Sequence, residues 1–251
     1  MIRLLAFLLT LIPAIAAADE KIVLGLSQDE VSITASFTGS EILIFGAISR
    51  DEPPPQTTEL GVIIAVAGPN VPVEVRQKDR VAGIWVNTDS AAIDIAPSFY
   101  AIASSAPLTD VLLPLEDLHN AISWGRVVRA VGQDAFAINE YTEAYMRIKQ
   151  NSDLFQLLEG AVAIEGDTLF HTAIQLPSNL TEGDYKTRIF LTRDGHIIDS
   201  FQTEIPVYKV GIERWLYNLS QNQAALYGLL SLLIAAVAGW AASAAFAILR
   251  R

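Results

Sequence analysis

"LPSNLTEGDYKTRIFLTRDGHIIDSFQTEIPVYK", Leu176 to Lys209, decides the fold class of this chain. Asp194-Gly195 separates two long runs of alternating residues, and an Asp-Gly pair readily adopts the two left-handed conformations of a tight hairpin turn. The period-2 alternation reads as strands. Leu180, Gly183 and Tyr185 have the spacing of a tyrosine corner, in which a tyrosine hydroxyl bonds back to the upstream backbone of an immunoglobulin-like sandwich. The stretch predicts two antiparallel strands that close such a sandwich.

Upstream, the same texture recurs. In "EVSITASF" (Glu30 to Phe37), Val31, Ile33, Ala35 and Phe37 alternate with polar residues, and "ILIFGAI" (Ile42 to Ile48) returns as a more buried strand. "RDEPPPQTTE" (Arg50 to Glu59) is a proline-stiffened loop that no sheet accommodates. "LGVIIAVAGP" (Leu60 to Pro69) and "VPVEVRQK" (Val71 to Lys78) read as another strand pair, turning at Gly68-Pro69-Asn70. Beyond Leu108 the alternation is lost. In "DAFAINEYTEAYMRIKQ", Asp134 is placed to cap a helix with Ala137, Tyr141, Tyr145 and Ile148 on one face. "SDLFQLLEG" (Ser152 to Gly160) reads as a further short helix. Strands resume at Ala161.

The expected architecture is therefore mainly β. An immunoglobulin-like β-sandwich ectodomain has a first β-rich part over 19–108, a helical insertion over 109–160 and closing strands over 161–210. One sandwich is favoured over two small ones, since some fifty closing residues make a thin core alone.

The two ends read differently from the middle. Arg3 followed by the apolar run Leu4 to Ile15 and Ala16-Ala17-Ala18 predicts a signal peptide over 1–18 with the mature start at Asp19. After a juxtamembrane segment (211–223), Ala224 to Leu249 is 26 residues without a charge. Arg250-Arg251 follows as a cytoplasmic tail (250–251), since positive residues stay on the cytoplasmic side. Trp215, Tyr217 and Tyr227 precede the span, as aromatics do at the outer interface. These features predict a single pass through a bacterial inner membrane, with the N-terminal domain in the periplasm and the C-terminus cytoplasmic.

Composition narrows the function classes. With no cysteine, lipoprotein anchoring, disulfides and thiol chemistry are excluded. Arg3, Arg250 and Arg251 lie outside the exported part, which keeps 14 of the 17 basic residues against all 28 acidic ones, a net charge of −14. Such a surface disfavours nucleic acid and anionic lipid headgroups. His119, His171 and His196 are widely separated, with no HxH or HExxH spacing, and no GxSxG, phosphate-loop, GxGxxG or EF-hand pattern occurs. The expectation is a protein without catalytic residues, cofactor or metal.

Two stretches stand out as candidate interaction surfaces. In "GIWVNTDSAAIDIAPSFYAIASSAPL" (Gly83 to Leu108), Trp85, Asn87, Phe99 and Tyr100 could line a groove, although a buried Trp85 and a core aromatic pair is the ordinary alternative in a β-sandwich. In the terminal span, Ser231, Ala235, Gly239, Ser243 and Ala247 recur every four residues, and small side chains let a neighbouring helix approach closely in lipid. Trp240 stands beside them, with nine residues between it and Arg250 and so well inside the hydrocarbon core, where interface anchoring does not explain it.

"GIWVN…APSFYAIASSAPL", "LFHTAIQLPSNLTEGDYKTRIFLTRDG" (Leu169 to Gly195) and "KVGIERWLY" followed by "LYGLLSLLIAAVAGWAAS" resemble an alphaproteobacterial family of transmembrane proteins with no established activity. The resemblance spans nearly all of the mature chain. It implies an accessory role beside a multi-pass permease of the sulfite/organosulfonate exporter type, and it carries over no functional residues. Two functions are thus expected: an accessory or interaction protein that meets a permease, or itself, through its membrane helix; or a periplasmic binding module for a small ligand or envelope component, merely tethered by that helix.

Overall fold

A computed structural model describes residues 20–26, 31–33, 39–50, 59–129, 135–209 and 212–249. The expected signal peptide, the second half of the Val31–Phe37 strand, the proline-rich loop over 51–58, the Asp134 cap and Arg250-Arg251 lie outside them. The described chain is mainly β. Its strands are β1 (Glu20–Leu26), β2 (Val31–Ile33), β3 (Ser40–Arg50), β4 (Leu60–Ala67), β5 (Val73–Val81), β6 (Ile84–Ile93), β7 (Tyr100–Ser104), β8 (Phe155–Leu158), β9 (Ala163–Glu165), β10 (Leu169–Leu176), β11 (Gly183–Arg193) and β12 (His196–Lys209). Its helices are α1 (Leu108–Val111), α2 (Pro114–Asn120), α3 (Trp124–Val127), α4 (Ala135–Asn151), α5 (Ile212–Asn222) and α6 (Ala224–Leu249).

The strands form a four-stranded sheet in the order β1-β3-β10-β9, a six-stranded sheet in the order β2-β12-β11-β4-β7-β8, and the separate hairpin β5-β6. Neighbours are antiparallel except β2–β12 and β7–β8. One core lies between the two larger sheets. Ile42, Ile44 and Ile48 of β3 and Phe170 and Ile174 of β10 meet Val62, Ile64 and Val66 of β4 and Tyr185, Ile189 and Leu191 of β11 there. Strands from before and after the helices thus share a single core.

The opposite face of the six-stranded sheet is covered as well. Ile63 and Ala65 of β4, Tyr100 and Ile102 of β7 and Phe190 of β11 pack beneath Val111, Leu112, Ile122, Val128 and Tyr145 of the helical region. This double burial explains why β4, "LGVIIAVA", is apolar without alternation. It also explains two differences from the sequence reading. β4 does not pair with β5, because its edges are taken by β11 and β7, while the largely exposed β5 pairs with β6. Ser152 to Gly160 is not a helix: its centre is β8, parallel to β7. Parallel neighbours need a long crossover, and the helices of 109–160 are that crossover. Phe155 turns inward from β8, edge-on to Tyr145 with ring centroids 5.8 Å apart.

The β11–β12 turn is the two-residue hairpin that Asp194-Gly195 predicts. Asp194 has φ +48° and Gly195 φ +80°, and Arg193 pairs with His196. Asp194 also holds the entry to β4, its Oδ1 accepting from the Glu59 amide at 3.1 Å. The tyrosine corner forms too: the fully buried Tyr185 donates its hydroxyl to the Thr181 carbonyl at 2.8 Å. Burial pushes this phenol up to about 12. Tyr185→Phe deletes one hydrogen bond and leaves the ring, so it should lower stability by about 1 kcal/mol, measurable by chemical unfolding followed by circular dichroism.

At the far end, Glu20 of β1 ties the sheets together. Arg193 Nη2 of β11 donates to both its carboxylate oxygens at 2.7 and 2.8 Å, and Arg50 Nε of β3 donates to Oε1. Burial pushes the Glu20 carboxyl up, but the hydrogen bonds and charges of Arg193 and Arg50 outweigh it and hold the carboxyl below its ordinary value. A depressed carboxyl contributes stability above its unfolded pKa of about 4.3, and that contribution is lost as pH falls through the folded value. Glu20→Gln should therefore destabilise the protein at neutral pH by on the order of 3 kcal/mol. It should also flatten the acid limb of a stability–pH curve below about pH 4.

Candidate membrane interface

Large apolar side chains stand outside the core in the C-terminal helices and at the tip of the β5–β6 hairpin. Helix α6 has 26 residues, about 39 Å at about 1.5 Å per residue, against a hydrocarbon core of about 30 Å. Among the described residues it is the one helix long and apolar enough to cross a membrane, and none of that span is buried against the rest of the chain. Ser231, Ala235, Gly239 and Ser243 follow one another along it, all exposed. A Cβ added at Gly239 would meet nothing within 4 Å. Ala247 continues the row in α6, with its side chain outside the described residues. Ser231 Oγ donates to the Tyr227 carbonyl at 2.9 Å, so its hydroxyl is satisfied within the helix. Trp240 is 76% exposed beside the row.

The expected juxtamembrane segment is the helix α5, with Leu216 and Leu219 half-buried and Trp215 and Tyr217 exposed. At its junction with α6, the Gln223 amide donates to the Leu219 carbonyl at 3.0 Å and the Tyr227 amide to the Gln223 carbonyl at 3.1 Å. These are i to i−4 bonds, so the helical ladder runs on across the break.

A family model described as "Putative transmembrane protein" (Alph_Pro_TM) matches residues 21–248. The chain belongs to this family. No curated protein matches it. The match runs from β1 to the last turn of α6, so the β-rich body and the apolar helix are parts of one family unit.

The four residues of the candidate groove do not form one surface. Trp85 and Asn87 lie on β6, where Trp85 is 68% exposed rather than the buried sandwich tryptophan of the ordinary reading. Phe99 and Tyr100 have no exposure and sit on opposite faces of the six-stranded sheet, Phe99 in the core between the sheets and Tyr100 under the helices. Phe99 immediately precedes β7 and Tyr100 opens it, so the two adjacent side chains turn to opposite sides of a sheet covered on both at this point. Tyr100 is a structural strut: its hydroxyl donates to the Ile122 carbonyl at 2.8 Å and accepts from Arg188 Nη2 at 3.1 Å. Arg188 also donates to the carbonyls of Asn120 at 2.6 Å and Ala121 at 2.9 Å. Burial pushes the Tyr100 phenol up to about 12. The histidines stand on three elements, His119 on α2, His171 on β10 and His196 on β12, with His196 Nδ1 at 3.4 Å from Glu116 Oε1.

Exposed apolar residues that the sequence reading passed over flank Trp85. Val81 and Ile84 are 51% and 65% exposed at the hairpin tip, paired across the turn Ala82-Gly83. Both turn residues have positive φ, +51° and +88°. "RVAGIW" carries this signal as a glycine between two apolar pairs, but alanine in the first turn position hides the hairpin. Replacing Ile84 and Trp85 together by serine should change stability by less than about 1 kcal/mol. Phe99→Ala should cost about 3 to 5 kcal/mol. Thermal unfolding of the two variants checks this placement.

Proposed function

We propose that the protein is a membrane-anchored accessory subunit, whose ectodomain stands in the periplasm and whose α6 docks against a helix of a multi-pass permease in the inner membrane. The observation that carries this reading is the uncovered row of small residues on α6. Without a hydrophobic driving force between helices in lipid, association relies on close packing, and a row of Ser, Ala and Gly permits it. Successive i+4 positions drift steadily around a helix, which suits a crossing partner better than a parallel one. The two arginines after Leu249 favour a cytoplasmic C-terminus, and the apolar N-terminal run favours export. No catalytic role, cofactor or nucleic-acid partner enters the proposal.

The ectodomain is proposed to be an immunoglobulin-like sandwich of variable type. Strand order supports this: β1-β3-β10-β9 corresponds to A-B-E-D, and β2-β12-β11-β4-β7-β8 to A′-G-F-C-C′-C″. Tyr185 stands at the start of the strand corresponding to F, the usual place of a tyrosine corner. In this frame the β5–β6 hairpin is an insertion between C and C′, and the four helices α1 to α4 are one between C′ and C″.

The test is purification from native membranes in a mild detergent, with tagged native protein beside a Gly239→Leu, Ser243→Leu variant. A multi-pass protein should accompany the native form and be lost with the variant. If both forms emerge alone, docking through α6 is refuted; if both self-associate equally, the row is not the contact.

A further inference from the structure

The β5–β6 hairpin is an arm. It is bonded to neither larger sheet, and only its base is packed: Ile93 is buried, with Val73 and Val75 partly buried against the helical core. From Arg76 to Ser90 every residue is exposed except the half-buried Val86 and the turn itself carries no cover. Helix α4 braces one side, Tyr145 donating its hydroxyl to the Pro97 carbonyl at 3.1 Å and Tyr141 lying 3.4 Å from Gln77 Oε1 further out.

The arm springs from a defined end of the ectodomain. In the six-stranded sheet, Gly183 of β11 pairs with Val207 of β12, and Lys186 of β11 pairs with Ala67 of β4. The last residues of β4 and β12 therefore lie at the same end. A Cβ on Gly183 would stand 2.9 Å from Pro69 in the segment that leads to β5, and an Asn70–Pro97 bridge closes the base of the arm. At this same end the chain leaves Lys209 for α5 and the membrane helix.

Lengths agree with that placement. From Val73 to Val81 the arm reaches about 26 Å at about 3.3 Å per residue. Three links join Lys209 to Ile212, and α5 upright adds about 16 Å, so β12 ends no more than roughly 30 Å from the start of α6. The tip chemistry fits a bilayer surface: Val81, Ile84 and Trp85 are apolar, with Trp suited to the headgroup level. Between Gln77 and Thr88 the charges are Lys78, Arg80 and Asp79, so this part carries +1 on an otherwise acidic ectodomain. Anionic lipid does not repel it, and Arg80 and Lys78 have stems long enough to lie along the interface.

We infer that the tip of the β5–β6 arm, Val81, Ile84 and Trp85, inserts into the headgroup region of the membrane that α6 spans, giving the ectodomain a second foothold. The inference rests on the membrane-anchored reading. Two footholds fix the tilt of the ectodomain, which a single helix leaves free.

The native chain has no cysteine, so single-cysteine variants take one nitroxide label each. The full chain carrying Ile84→Cys, Ser90→Cys or Ile234→Cys is reconstituted into vesicles of phosphatidylethanolamine and phosphatidylglycerol. Accessibility to oxygen and to a water-soluble nickel chelate is then read by electron paramagnetic resonance. The expected result is a label at 84 severalfold less accessible to nickel than the label at 90, with oxygen favoured as at 234. A label at 84 as open to nickel as that at 90, while 234 is lipid-exposed, overturns the arm proposal alone. A label at 234 open to nickel overturns the anchoring reading and the arm proposal with it. If the label at 84 is open to nickel in vesicles but shielded from both reagents in native membranes, the tip meets a protein, and insertion into lipid is overturned.

Discussion

The centre of the six-stranded sheet, β4 and β7, is buried on both faces, and much of the structure follows from that constraint. A strand such as β4 cannot be half wetted when Val62, Ile64 and Val66 face one core and Ile63 and Ala65 the other. The four-stranded sheet covers the first face. The second needs material, and the chain supplies it between β7 and β8, where α1 to α4 cross over the sheet before the chain returns. Because that return makes β8 parallel to β7, cover and strand order arise from one connection. Polar groups beneath the crossover then need partners, and the half-buried Arg188 finds two in the backbone carbonyls of Asn120 and Ala121 and a third in the Tyr100 hydroxyl of β7.

Legibility in the sequence tracks how many faces of an element are wet. β11 and β12 were readable because Asp194-Gly195 marks their turn and because their alternation reports one wet and one dry side. The tyrosine corner was readable because Leu180, Gly183 and Tyr185 are a local pattern with a local hydrogen bond. β4 gave its existence but not its neighbours: a run apolar on both faces pairs with whatever the topology delivers, here β11 and β7 from far along the chain. β8 reads as helix for a different reason, its four residues being too few to show a period. At the membrane end, the absence of charge from Ala224 to Leu249 made α6 plain, since hydrocarbon imposes composition directly.

The candidate groove shows the same limit from the other side. Trp85, Phe99 and Tyr100 are alike as aromatics, and sequence distance groups them. Burial separates them, placing Trp85 on an exposed arm and the two others, at the start of β7, in the cores on opposite faces of the sheet. What distinguishes Trp85 is its company: Val81 and Ile84 across a two-residue turn, on a ribbon otherwise rich in polar residues. An isolated apolar tip of this kind contributes nothing to the core and carries a solubility cost.

Placement gives that tip its meaning. β4 and β12 end at the same end of the sheet, on either side of β11, so the arm and α6 leave the β-rich body at one end, although some 140 residues separate them in the chain. The opposite end carries different chemistry, with Glu20 clasped by Arg50 and Arg193 across the two sheets. The charge that stitches the sheets therefore lies at the end away from the arm and α6. Folding requirements alone do not account for these two elements, because neither α6 nor the outer half of the arm contributes to the shared core. The proposed docking of α6 and the proposed insertion of the arm tip give both a role outside the chain.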